Sequence, residues 1–367
     1  MNNSFTVAGF GEVMMRLSPE GFLRFGQALP GRLQAIFGGG EANVCASLAQ
    51  FGINARYLTA LPLNPIADAL VAELRGLGVD TTHILRTATG RLGIYFAETG
   101  ASQRASTVIY DRAHSALAET TADEYDFDSM LQGVAWLHLS GITPAVSSAA
   151  CQANFALAER AVANGVKISL DLNFRKKLWR WDAGKSPRDL ARREMTCLAA
   201  LADVLIANEE DAREVFGIEA PGTAIEAGKL SLDGYVEVAR RLGASFPKAK
   251  YIAFTLRESK SASWNNWGAM LYDVGTGQAH SAPLAPDGSY HPYEIRSIVD
   301  RIGGGDSFCA GLIYALNTPE WSAPERAIAF ATAASCLKHS ILGDYNRVTV
   351  TEVAALANGN ASGRVSR

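Results

Sequence analysis

The sequence predicts an α/β fold: a central, mostly parallel sheet covered by helices on both faces, plus a small antiparallel β lid. Three observations predict it. Short apolar runs that read as buried strands alternate with longer amphipathic runs over most of the 367 residues. Two stretches, 12–37 and 91–112, interrupt that rhythm with alternating residues and little helical periodicity. A glycine cluster also precedes a helical run near each end of the chain.

Core strands are expected at 6–10, 55–61, 136–140, 167–172, 203–207 and 251–256, because each is a short apolar run bounded by turn residues. Helices are expected between them at 41–51, 65–77, 146–164 and 232–242. In such sheets ligands collect at the carboxyl ends of the strands. The stretches Gly93-Ile-Tyr-Phe-Ala-Glu98 and Ser106-Thr-Val-Ile-Tyr-Asp111 alternate like antiparallel strands and suit a lid built from excursions out of the main domain. Residues 179–193 are polar and aromatic and read as a surface insertion. The Gly/Asn/Ser-rich 358–367 reads as a flexible tail, so the domain is expected to span 1–357.

Composition narrows the function classes. The chain is 48% hydrophobic and 19% charged, with net charge −3 and no dense Lys/Arg block, so nothing marks it for nucleic acid. No apolar run is long enough to span a bilayer, and the first residues lack the basic and apolar regions of a signal peptide. Cys45, Cys151, Cys197, Cys309 and Cys336 are scattered without a C-x-x-C pair and read as free thiols, so a cytoplasmic enzyme is expected. There is no G-x-x-x-x-G-K-[ST], H-E-x-x-H or G-x-S-x-G. Gly9-Phe-Gly11-Glu-Val-Met14 begins like a dinucleotide fingerprint but has Met14 at the third glycine position. His138, inside a buried-looking strand, reads as a satisfied core residue.

Gly303-Gly304-Gly305-Asp306 precedes a run in which Phe308, Cys309, Leu312, Ile313 and Leu316 share one helical face. Three glycines ahead of a helix free backbone N–H groups to converge on an oxyanion, with the helix dipole adding favourable potential. A carboxylate there would repel a resting phosphate, so Asp306 makes sense facing a hydroxyl whose proton it accepts. The bland alternative is a glycine loop with Asp306 as N-cap. A second turn, Gly38-Gly39-Gly40-Glu41-Ala42-Asn43, enters another helix. It is either a hinge or a close approach to a polyhydroxylated ligand, with Asn43 reading a hydroxyl.

The Gly-Gly-x-x-x-Asn pattern at 38–43 and the Asp-x-x-Gly-Gly-Gly-Asp-x-Phe pattern at 300–308 resemble the two signatures of the ribokinase-like sugar kinases, the PfkB family. They occur in the family's order and at about its separation, and the resemblance covers nearly the whole chain. Softer segments resemble the 2-keto-3-deoxygluconate kinases within it: Gly11-Glu-Val-Met-Met-Arg-Leu-Ser-Pro19, Arg91-Leu-Gly-Ile-Tyr-Phe96, Tyr110-Asp-Arg-Ala113, Asp171-Leu-Asn-Phe-Arg175, Thr255-Leu-Arg-Glu-Ser259 and Leu337-Lys-His-Ser-Ile-Leu-Gly-Asp-Tyr345.

The resemblance implies an ATP- and Mg2+-dependent kinase acting on the primary hydroxyl of a sugar acid. Asp306 would be the base, and the Gly303, Gly304 and Gly305 amides the anion hole. It places Gly38, Gly39 and Asn43 at the sugar, Tyr95, Tyr110 and Arg112 on the lid over it, and Arg175 at its edge. A sugar acid carries a carboxylate, for which an arginine fork is the fitting partner, and Arg112 and Arg175 are the candidates. Each arginine has an alternative as a surface charge, and each tyrosine one as lid packing. Asn173, Asn208, Thr255 and Gly305 are implied on the nucleotide side, as is the segment 281–293. Asp211 is implied near the metal, where Asn208-Glu209-Glu210-Asp211 has Asp in place of the family's Glu; an acidic helix start serves the dipole equally. Asp300 belongs either to a monovalent-cation loop or to the structure, and Asp344 either contacts a ligand or closes a turn. Self-association through the lid is expected. Two rival readings remain: a kinase of this fold for fructose, ribose or 5-keto-2-deoxygluconate, and a sensor that binds sugar or nucleotide without turnover.

Overall fold

The apolar run Val204–Ala207 is buried along its whole length, the pattern of a strand covered on both faces, and it lies inside a parallel sheet. The computed structural model describes residues 5–208, 210–219 and 232–360. In chain order the strands are β1 (Thr6–Phe10), β2 (Met14–Ser18), β3 (Gln34–Gly38), β4 (Asn54–Leu58), β5 (Ala60–Pro62), β6 (Leu85–Thr87), β7 (Gly93–Glu98) and β8 (Thr107–Asp111). After them come β9 (Val134–Ser140), β10 (Lys167–Asp171), β11 (Val204–Ala207), β12 (Tyr251–Ser261), β13 (Trp264–Asp273), β14 (Gln278–Ala282) and β15 (Tyr293–Ile295).

Among the described residues the main sheet runs β14-β13-β12-β11-β10-β9-β1-β4, with β15 on β13. Pairing is parallel from β4 to β12 and antiparallel beyond, where β12 runs on past the expected 251–256 into a hairpin with β13. The expected strand 55–61 divides. Asn54–Leu58 stays in the main sheet, and Ala60–Pro62 turns away to pair in parallel with Leu85–Thr87. The expected helix 146–164 begins in earnest at Ser148, because the Ser147 hydroxyl caps it by accepting from Ala150 N. Asn64 and Ser186 cap the helices Pro65–Gly76 and Pro187–Ala199 in the same way, each followed by proline at the first helical position.

The excursions form a four-stranded sheet ordered β3-β2-β7-β8. It is not purely antiparallel: two antiparallel pairs meet at a parallel β2–β7 seam. Residues 179–193 are a surface insertion only in part: most of 180–186 is exposed, but the segment is anchored in the core at both ends. Trp179 is 1% exposed, and Leu190 and Ala191 of the Pro187–Ala199 helix are buried in the core. From Pro187 on, the polar residues are the outer face of an amphipathic helix. His138 is a satisfied core residue, its Nδ1 2.9 Å from Ser169 Oγ, and burial holds it neutral by lowering its pKa to about 3. Most of the expected tail, 361–367, lies outside the described residues. Among the described residues no helix is long and apolar enough to cross a membrane.

Candidate active site

Two glycine turns open onto one cleft of about 590 Å³ between the four-stranded sheet and the carboxyl ends of the main strands. At the first, strand β3 ends and the helix Gly40–Gln50 begins. A side chain on Gly38 would strike the Asp344 carboxylate at 2.0 Å, and one on Gly39 the Glu12 carbonyl at 2.2 Å, so close packing demands glycine at both. At the second, Gly303 has φ +83°, the left-handed region, and a Cβ there would lie 2.2 Å from the Asp344 carbonyl. It is the N-cap of the helix Gly304–Leu316 and offers no side chain to the first amides.

Asp306 is not that cap. It sits in the first turn, and its carboxylate accepts a 2.6 Å hydrogen bond from Asn43 Nδ2, joining the two glycine turns across the cleft. Asn43 is fixed by accepting from Gly39 N. Burial raises the Asp306 pKa to about 6, and the Asn43 hydrogen bond works against that rise. Asp344 pushes it up, while Arg175 and Lys338 pull it down. The helix start thus combines amides without a side-chain acceptor and a carboxylate held to one side of them.

Every singly named site residue expected from the sequence lines this cleft, though the expected segment 281–293 does not, and several of those residues already have protein partners. Tyr95 donates its hydroxyl to Asp344, and Asp344 also accepts from Arg16 at 3.1 Å. Arg16 donates to Asp300 at 2.7 Å, and Asp300 takes the backbone N–H groups of Ile302 and Gly343. Asp344 is therefore neither a simple turn residue nor a free carboxylate. Arg112 is buried in an ion pair with Glu12, with the Tyr110 ring 5.7 Å from its guanidinium carbon. Its Nε–H has no protein acceptor among the described residues. Tyr110 is 43% exposed, whereas Tyr95 is buried.

The opposite wall follows β10 and β11. Asn173, at φ +37°, donates to Asp171 at 3.3 Å. Burial, then the neighbouring Asp211 and Asp306, push the Asp171 pKa well up, against Arg175. Asp211 accepts from the backbone N–H groups of Phe174 and Asn208, and Asn208 Oδ1 accepts from those of Glu210 and Asp211. This reciprocal arrangement is a helix start, and it leaves the Asp211 carboxylate at the cleft. Arg175 is exposed and forms no ion pair among the described residues. Thr255 lines the cleft from β12, and the wall beyond it is made by Arg257, Trp267 and Ile298. Residues 281–293 do not line it, because β14 pairs at the sheet edge and the chain then folds back on itself.

Sequence reasoning passed over Glu12, Arg16, Asp171 and Lys338. Arg16 and Lys338 stood inside quoted segments, yet nothing local says that a cation there is buried against carboxylates from the other end of the chain.

Residues 6–243 match the family described as pfkB family carbohydrate kinase. The 2-dehydro-3-deoxygalactonokinase of Haloferax volcanii is 30% identical over 355 residues, covering 96% of this chain and 97% of that protein. The 2-dehydro-3-deoxygluconokinase of Thermoproteus tenax is 26% identical, covering 89% of this chain and 88% of its own. The crystal structure of 2-dehydro-3-deoxygluconokinase from Thermotoga maritima superposes with a TM-score of 0.86 at 39% identity, over 97% of this chain and 100% of that one. The ribokinase-like architecture, the paired glycine turns and these likenesses agree: the chain belongs to the pfkB family of carbohydrate kinases.

Proposed function

We propose that this kinase transfers the γ-phosphoryl group of ATP to the primary hydroxyl of a sugar acid, turning 2-keto-3-deoxygluconate into its 6-phosphate. The observation that carries the reading is the Asp306 carboxylate, tied to Asn43 and set beside the open amides of the Gly304–Leu316 helix. Asp306 orients the acceptor hydroxyl and takes its proton late, after bonding to phosphorus has acidified it, since a carboxylate is too weak a base to do so beforehand. The amides at Gly303 to Asp306 hold the charge on the transferred group. Asn208 and Asn173 face the nucleotide side, with Thr255.

The hard oxygen donors Asp171, Asn173 and Asp211 would hold a Mg2+ ion through its waters. Both Asp211 oxygens already accept backbone N–H groups, so outer coordination suits them better than direct bonding. When bound, Mg2+ would neutralise charge on the phosphates. A monovalent cation beside Asp300 does not fit the residues present, because Arg16, Ile302 N and Gly343 N already use that carboxylate.

Arg175 is exposed and forms no ion pair among the described residues, only attracting Asp171, Asp211 and Asp306 across the cleft, so it reads the substrate carboxylate first. Arg112 contributes its unpartnered Nε–H while Glu12 holds the rest of the fork. Residues 12–37 and 91–112 close over the sugar as a lid on a domain of 1–357 and exclude water, the competing nucleophile. Phe22, Leu23, Ile109 and Tyr110 are exposed on the lid, a surface suited to self-association. The five free cysteines suit the cytoplasm.

The relatives named for sugar-acid substrates support this class, and they differ over the C4 epimer. A coupled assay of ADP release tests both points, using 2-keto-3-deoxygluconate, its C4 epimer, 5-keto-2-deoxygluconate, fructose and ribose. The expected result is the highest kcat/KM on a 2-keto-3-deoxy acid. A higher value on fructose or ribose overturns the substrate assignment, and binding without ADP release overturns catalysis.

A further inference from the structure

Beneath the second glycine turn lies a lysine the kinase reading does not use. Lys338 ends the helix Pro324–Lys338 and is 0% exposed. Its Nζ donates to the carbonyls of Ile341, at 3.1 Å, and Gly343, at 2.8 Å, so the loop after the helix wraps around its own ammonium. A Cβ built on Gly303 would lie 3.2 Å from Lys338 Cε, which puts the lysine stem directly against the turn that opens the anion site. The same loop supplies Asp344, whose carbonyl lies against Gly303 and whose carboxylate meets Arg16 and Tyr95.

Carbonyl oxygens converging beside carboxylates make a site that suits a large, weakly hydrated monovalent cation. Here the cation is covalently attached. Two cations already occupy the region: Arg16 and Lys338 stand against Asp300 and Asp344, all four buried, and Lys338 also faces the charge of Asp306. A further cation would have to sit beside these two and compete with Lys338 for the Ile341 and Gly343 carbonyls, which is costly.

We propose that the Lys338 ammonium is a tethered replacement for a monovalent cation beneath the anion site, so that this kinase works without K+ or Na+. Lys338 is a positioning residue. It fixes the loop 341–344 against Gly303, and with it the amides that receive the phosphoryl group. The proposal rests on the kinase reading for its rate measurements but not for its melting measurements.

Turnover and melting temperature are measured at constant ionic strength while tetramethylammonium chloride is exchanged for KCl or NaCl. Wild type should change by less than about twofold in rate, with an unmoved melting temperature, because no site is left to couple to the ion. Lys338→Ala, which opens a hole lined by oxygens, should lose turnover and recover at least about tenfold with K+, NH4+ or ethylammonium, each also raising its melting temperature. Lys338→Met, which removes the charge but fills the space, should not recover. Wild-type activation of about tenfold by K+, or a rise in wild-type melting temperature with K+, overturns the proposal. So does a Lys338→Ala protein as active as wild type in tetramethylammonium alone. Should Lys338→Ala fail to fold, the wild-type measurements decide. If no sugar acid is turned over, the kinase reading fails while the melting measurements still judge the cation.

Discussion

Asn43→Ala should move the acid limb of the pH–rate profile upward. Asp306 must be ionised to accept the acceptor proton, and burial already raises its pKa to about 6. The Asn43 Nδ2 hydrogen bond, 2.6 Å long, stabilises the charged form and works against that rise. A hydrogen bond to a charged group contributes about 1.5 kcal/mol at the low end, and one pH unit corresponds to about 1.4 kcal/mol. Losing it should therefore raise the Asp306 pKa by about one unit, to about 7. Activity needs the ionised form, so it falls as pH drops through the pKa. At pH 6 the ionised fraction goes from about one half to about one tenth, a fivefold loss, whereas at pH 8 titration costs almost nothing. The assay is kcat/KM for the preferred sugar acid across pH 5 to 9, since this ratio reports the free enzyme. Any direct loss of hydroxyl recognition lowers the whole curve without moving the limb. An unmoved limb would refute the reasoning, because either the bond does not hold Asp306 or the limb belongs to another group.

Asp306→Asn should keep ATP binding, measured by calorimetry, and lose orders of magnitude in turnover. It should also melt higher than wild type at pH 8. A carboxylate whose folded pKa is raised stabilises most below its unfolded value of 3.8, and loses that contribution as pH rises through about 6, so the gap should close near pH 4. Arg175→Ala should raise KM for acidic sugars far more than for fructose, with Arg112→Ala the weaker of the two because Glu12 already holds its fork; equal losses on acidic and neutral sugars would mean neither arginine reads a carboxylate. Gly303→Ala places a side chain in the left-handed region, at about 1–2 kcal/mol, and drives it into the Asp344 carbonyl. Turnover should fall and thermal unfolding come earlier, whereas Gly305→Ala, with nothing within 4 Å, should melt like wild type.

Much of this molecule was legible because its signals are local. The strands at 6–10, 167–172 and 203–207 are apolar runs whose burial follows from composition alone. The glycine turns were visible because a backbone that needs positive φ or close approach has almost one residue to choose. The errors arise where a signal is shared. Residues 179–193 read as surface because an amphipathic helix with proline and arginine shows its outer face first, while Trp179 and Leu190 are buried by partners distant in sequence. The β2–β7 seam could not be seen as parallel, because alternation fixes which face a residue takes and not the direction of its neighbour.

By itself the sequence determined the fold class, the two turns and many of the polar residues that line one cleft. Tertiary structure alone decided how those residues are spent. It brings Asn43 to Asp306 across 263 positions, gives Glu12 to Arg112, and buries Arg16 between Asp300 and Asp344. Charge pairing inside a protein depends on distance and desolvation, and neither is written in the spacing of residues along the chain.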